Sequence, residues 1–355
     1  MGETAKRTAV ATLVVIGIVA GALALWELRL VLALVFLGIT IAAAMRPGID
    51  WLRQHRVPRG MGLLVHYAAL FGLIALLLWV AVPRALTQVE TALGTNGLPT
   101  SAADLQEAAS HSHGIKHTIL VALQKRLEHV PKASSVFHSG VTVGLKAFEI
   151  LVGIFFVFAT AAYWIFERAR TVDFVASLLP RPKRKRVRDT WDLIDLKLGA
   201  FVRGEVVLIL LVGTVLSVLF LAVGEPYWIL IGAFAGVVEI IPVIGPLAAG
   251  ALAVAVGFTV SWHTALYAGL CVLGVRLAED YLVVPRVLGD AVGLSPLLVL
   301  VSVTAVGILF GGFAVVLAVP LAAVVVTLID VIVRNKDPAS EDVPTVLFPA
   351  NEAEN

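Results

Sequence analysis

Between Ile240 and Val275 the chain carries no Asp, Glu, Lys or Arg, and at the head of that tract stands Glu239-Ile240-Ile241-Pro242-Val243-Ile244-Gly245-Pro246. So long an uncharged stretch fixes the solvent. In hydrocarbon every backbone polar group needs an internal partner, which leaves helices or closed barrels. The two prolines and the glycine oppose a plain anchor, because Pro removes a donor and breaks the helix. Broken backbone at membrane depth is tolerated only where it is buried in protein or lines a watery cavity. An ionisable residue there marks a functional site by default. The segment points to a protein that moves something across a bilayer.

The rest of the chain agrees. Hydrophobic residues make up 59% and charged residues 15%, with a mean hydropathy of +0.95. A soluble domain is nearer half apolar and a quarter charged. The tracts Thr8–Trp26, Leu30–Met45, Gly60–Val82, Ile150–Phe166 and Val206–Val223 reach or approach the length of a spanning helix. Two longer blocks follow, Tyr227–Val275 and Ala291–Ile329. The expected fold is an all-α polytopic membrane helix bundle of about seven or eight hydrophobic helices, including two broken, re-entrant hairpins. Thr8–Trp26 is long for a leader and reads as the first membrane helix. The single cysteine, Cys271, excludes an intrachain disulfide and any multi-cysteine metal site.

Charge then orients the helices, since basic residues beside membrane helices prefer the cytoplasm. Lys6 and Arg7 precede the first helix, and Arg46, Arg53, Arg56 and Arg59 follow the second, so both ends of that hairpin lie inside. The first unit is a three-helix membrane part over 1–83. The polar segment 84–140 is expected outside as amphipathic helix, with Ile115, Ile119, Leu123 and Leu127 forming one apolar stripe. His111, His113 and His117 match no metal spacing, and no metal or other cofactor is expected. The transport core covers 141–334 and includes a basic cytoplasmic loop over 167–200. That loop sets topology and can touch anionic lipid, and so many spans argue against nucleic acid as its partner. A disordered cytoplasmic tail is expected over 335–355, which puts both termini on the cytoplasmic side.

Two apolar blocks are split. Trp228–Ile241 and Leu247–Val260 are each too short to span and meet at Pro242 to Pro246. Leu297–Phe310 and Phe313–Val333 meet at Gly311-Gly312. One full crossing, His263–Val284, lies between these hairpins. On it Arg276, Glu279 and Asp280 share one helical face by their spacings of three and four. That face is either a self-neutralised interface pair or part of a site. Pro285-Arg286 ends the helix, and Ser295-Pro296 signals the next start. Broken helices of this kind expose half-helix ends that bind substrate near the midplane. No G-x-x-x-x-G-K-[ST], G-x-S-x-G or H-E-x-x-H motif is present, so no enzyme is expected. Ser217 and Ser302 read as helix back-bonders.

The chain resembles the AI-2E (autoinducer-2 exporter) family. The resemblance runs through Arg46-Pro47 with Trp51-Leu52 and Arg56-Val57-Pro58-Arg59, then Arg203-Gly204-Glu205 and Gly224-Glu225-Pro226-Tyr227. It continues through Glu239 to Pro246, Val283-Val284-Pro285-Arg286, Gly293-Leu294-Ser295-Pro296, Gly311-Gly312-Phe313 and Ala318-Val319-Pro320. It implies a multi-pass inner-membrane exporter of a small polar molecule, a furanone-like quorum signal in the members named for it. It also implies a homo-oligomer, with a pentamer as one form, and some relatives are described as sodium/proton antiporters. The chain departs from the family pattern at Glu239, where Asn is also common, at Asp290, usually basic, and at Ser295, often His.

Three functions compete. A secondary exporter of a small hydrophilic solute would use Glu239 as proton carrier and the hairpins as gate, with Pro242, Gly245, Pro246, Gly311 and Gly312 as its breaks. A sodium or lithium/proton antiporter would cluster Glu239, Glu279 and Asp280 on a cation. A non-transporting scaffold would use the segment 84–140 for partners, and has no need of broken helices.

Overall fold

A computed structural model describes residues 2–93, 133–287 and 294–341, with positions 110, 121 and 343, and leaves some side chains near segment ends undescribed. The histidine trio, the isoleucine–leucine stripe, Asp290 and Gly293 lie outside the described residues. Every helix in the described chain is α-helical save for short 3-10 and π turns.

The order is α1 (Gly2–Glu27), α2 (Arg29–Gln54), α3 (Arg59–Leu93), α4 (Ala133–Ser177), α5 (Arg181–Ala222), α6 (Trp228–Val238), α7 (Ile244–Gly257) and α8 (Trp262–Ala278). A π-helical turn (Glu279–Val283) and one α turn (Val284–Val287) extend α8. Then come α9 (Pro296–Phe310), a 3-10 turn (Gly312–Leu317), α10 (Ala318–Ile332) and a last 3-10 turn (Pro338–Ser340). Among the described residues six segments are long and apolar enough to cross a membrane: Val10–Glu27, Arg29–Gln54, Arg59–Arg84, Gly144–Ser177, Arg181–Ala222 and Gly312–Ile332. The chain is a polytopic helical membrane bundle, as expected.

The breaks fall where Pro and Gly place them. At 1.5 Å per residue, the 11-residue α6 and the 14-residue α7 are about 17 and 21 Å long, short of the roughly 30 Å hydrocarbon core. The second hairpin has unequal arms. α9 is a short 15-residue helix. Its partner arm, counted from Gly312, is long enough to cross by itself. Gly311 takes φ 90° and ψ 168°, a conformation open only to glycine, and so separates the two arms.

The core lies where α5, α6, α7 and α8 meet, around Phe220, Ile231, Ala253 and Ala268. Without a hydrophobic drive between helices in lipid, close approach through small residues does the work. A Cβ on Gly232 would stand 2.1 Å from Ser217 Oγ, and one on Gly236 would stand 2.6 Å from the Ile209 carbonyl. Ser217 Oγ bonds the Gly213 carbonyl at 2.7 Å, the back-bonding expected of it. A second contact joins α3 to α4 and α2 to α5. Tyr67 donates to the Phe158 carbonyl at 2.6 Å, and Arg203 to the Ala44 carbonyl at 3.1 Å.

Three expected boundaries move. The segment drawn as a loop over 167–200 is helical but for a short turn at 178–180, because α4 runs on to Ser177 and α5 starts at Arg181. Its charges sit on helix faces and pair there, Arg168 with Asp192 and Arg188 with Asp173. The boundary drawn at 83 lies inside α3, which passes through Pro83 to Leu93. One proline removes only one bond of the ladder, and Arg84 donates to the neighbouring Val80 carbonyl at 2.9 Å. The tail drawn as disordered from 335 is ordered through Glu341, held where Lys197 meets Glu341 at 2.5 Å and Lys336 meets Asp330 at 2.6 Å.

Candidate functional site

The hairpin tip is built from its prolines. α6 stops at Val238, and the last regular bond runs from Glu239 N–H to the Ala235 carbonyl at 3.2 Å. Pro242 has no N–H to continue the ladder. Val243 then adopts φ 68° and ψ −51°, and Ile244 N–H closes a three-residue turn on the Pro242 carbonyl at 2.8 Å. This is the positive-φ hand of the γ-turn, which is strained, and a β-branched residue there is an outlier. α7 restarts at once, with Pro246 in its first turn, where the absent N–H is no loss. Gly245 lets the two arms touch: a Cβ there would lie 2.0 Å from the Val238 carbonyl.

Facing Glu239 across the hairpin is the far end of α8. There the ladder widens to a π turn, with Val284 N–H bonding the Glu279 carbonyl. Pro285 follows and supplies no donor of its own. Such π turns cluster at functional sites. Arg276 is the hub. Its Nη1 lies 3.2 Å from Glu239 Oε1 and 3.2 Å from both Glu279 oxygens, and its Nη2 lies 3.0 Å from Asp280 Oδ1. Glu239 and Glu279 are buried, Arg276 is 34% exposed and Asp280 45%.

A fourth carboxyl joins from α5. Glu205 is half-buried and interacts electrostatically with Glu239 and Glu279. In the sequence it stands within the family mark Arg203-Gly204-Glu205 and carries the same signal as Glu239, an acidic residue at the edge of an apolar tract. The cluster thus sets four carboxyl groups against one guanidinium. Isolated charge in such a place costs several kcal/mol per ion, so the surplus has to be met by protons or by a cation. Among the described residues no three His, Cys, Asp or Glu side chains converge as metal ligands.

The remaining expected site residues lie elsewhere. Ser295 caps α9, its Oγ accepting from Leu298 N–H at 3.3 Å, with Pro296 as the first helical residue. Gly311 and Gly312 form the second break. No hydrogen bond or ion pair among the described residues ties Ser295, Gly311 or Gly312 to Arg276. Arg286 is in the helical turn after Pro285, and its side chain lies outside the described residues.

Comparison with known proteins agrees with this architecture. The family described as "AI-2E family transporter" matches residues 13–334. YrrI of Bacillus subtilis (strain 168) is 25% identical over 293 residues, covering 81% of this chain and 82% of that protein. YueF of the same organism is 27% identical over 285 residues, covering 77% of each chain. MT0215 of Mycobacterium tuberculosis (strain CDC 1551 / Oshkosh) is 26% identical over 319 residues, covering 84% and 83%. All three are named "putative transport protein".

Proposed function

Because the chain belongs to the AI-2E transporter family, we propose that it is a proton-coupled secondary transporter that exports a small hydrophilic solute, of the autoinducer-2 kind, from the cytoplasm of a bacterial cell. The observation that carries this reading is the Arg276 hub. One guanidinium holds Glu239 from the hairpin tip together with Glu279 and Asp280 from the π turn. Protonating Glu239 removes its charge and frees the tip from Arg276. Deprotonating it draws the tip back. A proton taken up on one side thereby becomes a movement of a hairpin that spans only part of the bilayer, next to a strained turn that stores the bend. Solute hydroxyls or carbonyls would meet the unused backbone groups at the two breaks, the arrangement used by transporters with discontinuous helices.

The test is export from proteoliposomes loaded with candidate solutes found by metabolite profiling of medium from deletion and overexpression strains. Glu239→Gln, which keeps the shape and removes the titration, is expected to flatten the dependence of flux on pH and to lower its rate. Unchanged rate and unchanged pH profile would show that Glu239 only shapes the tip. The carboxyl surplus also favours a second reading, exchange of sodium or lithium for protons on the same cluster. A pH dye trapped in the vesicles separates the two, since antiport answers to added sodium or lithium with no solute present.

A further inference from the structure

A second polar site lies at the basic end of the bundle, away from the Arg276 hub. α2, α4, α5 and the start of α3 enclose a cavity of about 90 Å³, with Arg46, Asp50, Arg59, Trp164, Arg168 and Asp195 in its wall and the apolar side chains of Ile49, Ile165 and Phe166 beside them. A single water needs only about 10–15 Å³, so the cavity takes a group of several atoms.

Its wall holds polar groups that the protein leaves unused. Asp195 is 4% exposed, and while Oδ2 is bound by Arg168, Oδ1 has no hydrogen-bond partner among the described residues. The indole N–H of Trp164 is buried and has none among them either. Arg46 stands 3.6–3.8 Å from Asp195, Asp50 and Asp192, too far for a hydrogen bond, and makes none among the described residues. Arg59 has neither an ion pair nor a hydrogen bond there. Native structures seldom orphan buried polar atoms unless something else satisfies them.

The donors and acceptors describe the missing group. Two guanidinium forks and an indole N–H call for acceptor oxygens, and guanidinium forks fit phosphate. Asp195 Oδ1 calls for a donor on the same molecule. Arg168 is held by Asp195, Arg46 is shared at longer range between Asp50 and the half-exposed Asp192, and Arg59 is left without an ion pair among the described residues. The height of the cavity supplies the source. It lies where the apolar run of α4 ends at Phe166 and gives way to Glu167 and Arg168, the level at which lipid headgroups meet protein. We propose that this cavity binds a phospholipid headgroup, its phosphate on Arg46 and Arg59 and a hydroxyl or ammonium donor of the headgroup on Asp195.

The test uses the full-length protein in nanodiscs of equal parts phosphatidylglycerol, phosphatidylethanolamine and phosphatidylcholine. Lipid retained through purification is weighed by mass spectrometry. Phosphatidylglycerol and phosphatidylethanolamine are expected to be retained over phosphatidylcholine, whose headgroup has no donor. Arg59→Gln is the clean variant, because Arg59 has no hydrogen bond or ion pair to lose among the described residues. It is expected to melt with the parent and to retain about fivefold less lipid, the contribution of one basic side chain at the surface. Arg46→Gln is expected to act in the same direction. Equal retention of phosphatidylcholine, or unchanged retention in both variants, would overturn the proposal. So would complete displacement of the lipid by glycerol phosphate, which would hand the cavity to a soluble phosphate ester.

Discussion

The molecule contains two clusters of charge, and they are built in opposite ways. At the basic end, Arg168 reaches Asp192 and Asp195, and Arg46 faces the same pair, so cations and anions balance. All four residues sit on unbroken helices. Around Arg276, carboxyl groups outnumber guanidinium, and three of them stand at helix interruptions, Glu239 at the end of α6 just before the strained γ-turn and Glu279 and Asp280 in the π turn. Balanced charge on continuous helix makes a clamp. Surplus charge on interrupted helix makes something that changes state, because the surplus must be answered by a mobile ion and the backbone has somewhere to go.

Removing the hub arginine from each cluster tests this difference most strongly. Arg168 is 14% exposed and Asp195 5%. Arg168→Gln therefore leaves the buried Asp195 carboxylate with only the more distant Arg46 opposite it, and is expected to cost up to about 3–5 kcal/mol, read as a large fall in the melting temperature. Arg276 is 34% exposed, so water reaches it. Arg276→Gln is expected to abolish flux while the melting temperature falls by less than half as much. Equal melting losses in the two variants would erase the distinction.

How far the sequence showed this follows the range of each signal. Both hairpin breaks were legible because Pro and Gly act within a few residues, and Arg276, Glu279 and Asp280 shared a face by helical spacing alone. That Glu239 meets this face was legible only on the condition that the hairpin folds onto the crossing helix, since 37 residues separate Glu239 from Arg276 and the packing of the α6–α7 hairpin against α8 brings them together. Glu205 carried a visible signal that went unused. The basic stretch 167–200 was misread as a loop because its charge density hid an alternation: Asp173, Asp192 and Asp195 stand ready to pair with its arginines on helix faces.

The strain at the tip offers a smaller effect. The positive-φ turn at Val243 costs about 1–3 kcal/mol, and glycine takes the same conformation freely. Val243→Gly is expected to leave the melting temperature level or raise it. The same substitution at Val212, buried in the continuous α5, is expected to lower it, by about a few tenths of a kcal/mol from helix propensity with a larger cavity term in addition. If both positions lose stability alike, the tip is not strained and the contrast between interrupted and continuous helix weakens.

The smallest effect is one of pH. Glu225 lies in the connection between α5 and α6, outside both helices, with both carboxyl oxygens buried and unpartnered. Burial pushes its pKa from the ordinary 4.5 up to about 7. The sign follows from linkage. The folded state holds the proton more tightly than the unfolded chain, so the stabilisation is complete below about 4.5 and is lost as pH rises through about 7. The protein is then expected to melt lower at pH 8 than at pH 5, and Glu225→Gln to shrink that difference. Because Glu225 has no guanidinium partner, its titration is expected to leave the Arg276 hub alone: the variant should keep the pH profile of flux that Glu239→Gln flattens. A flux profile altered as much by Glu225→Gln as by Glu239→Gln would mean that the surplus of charge reaches beyond the interrupted helices, and that the tip is not where the proton does its work.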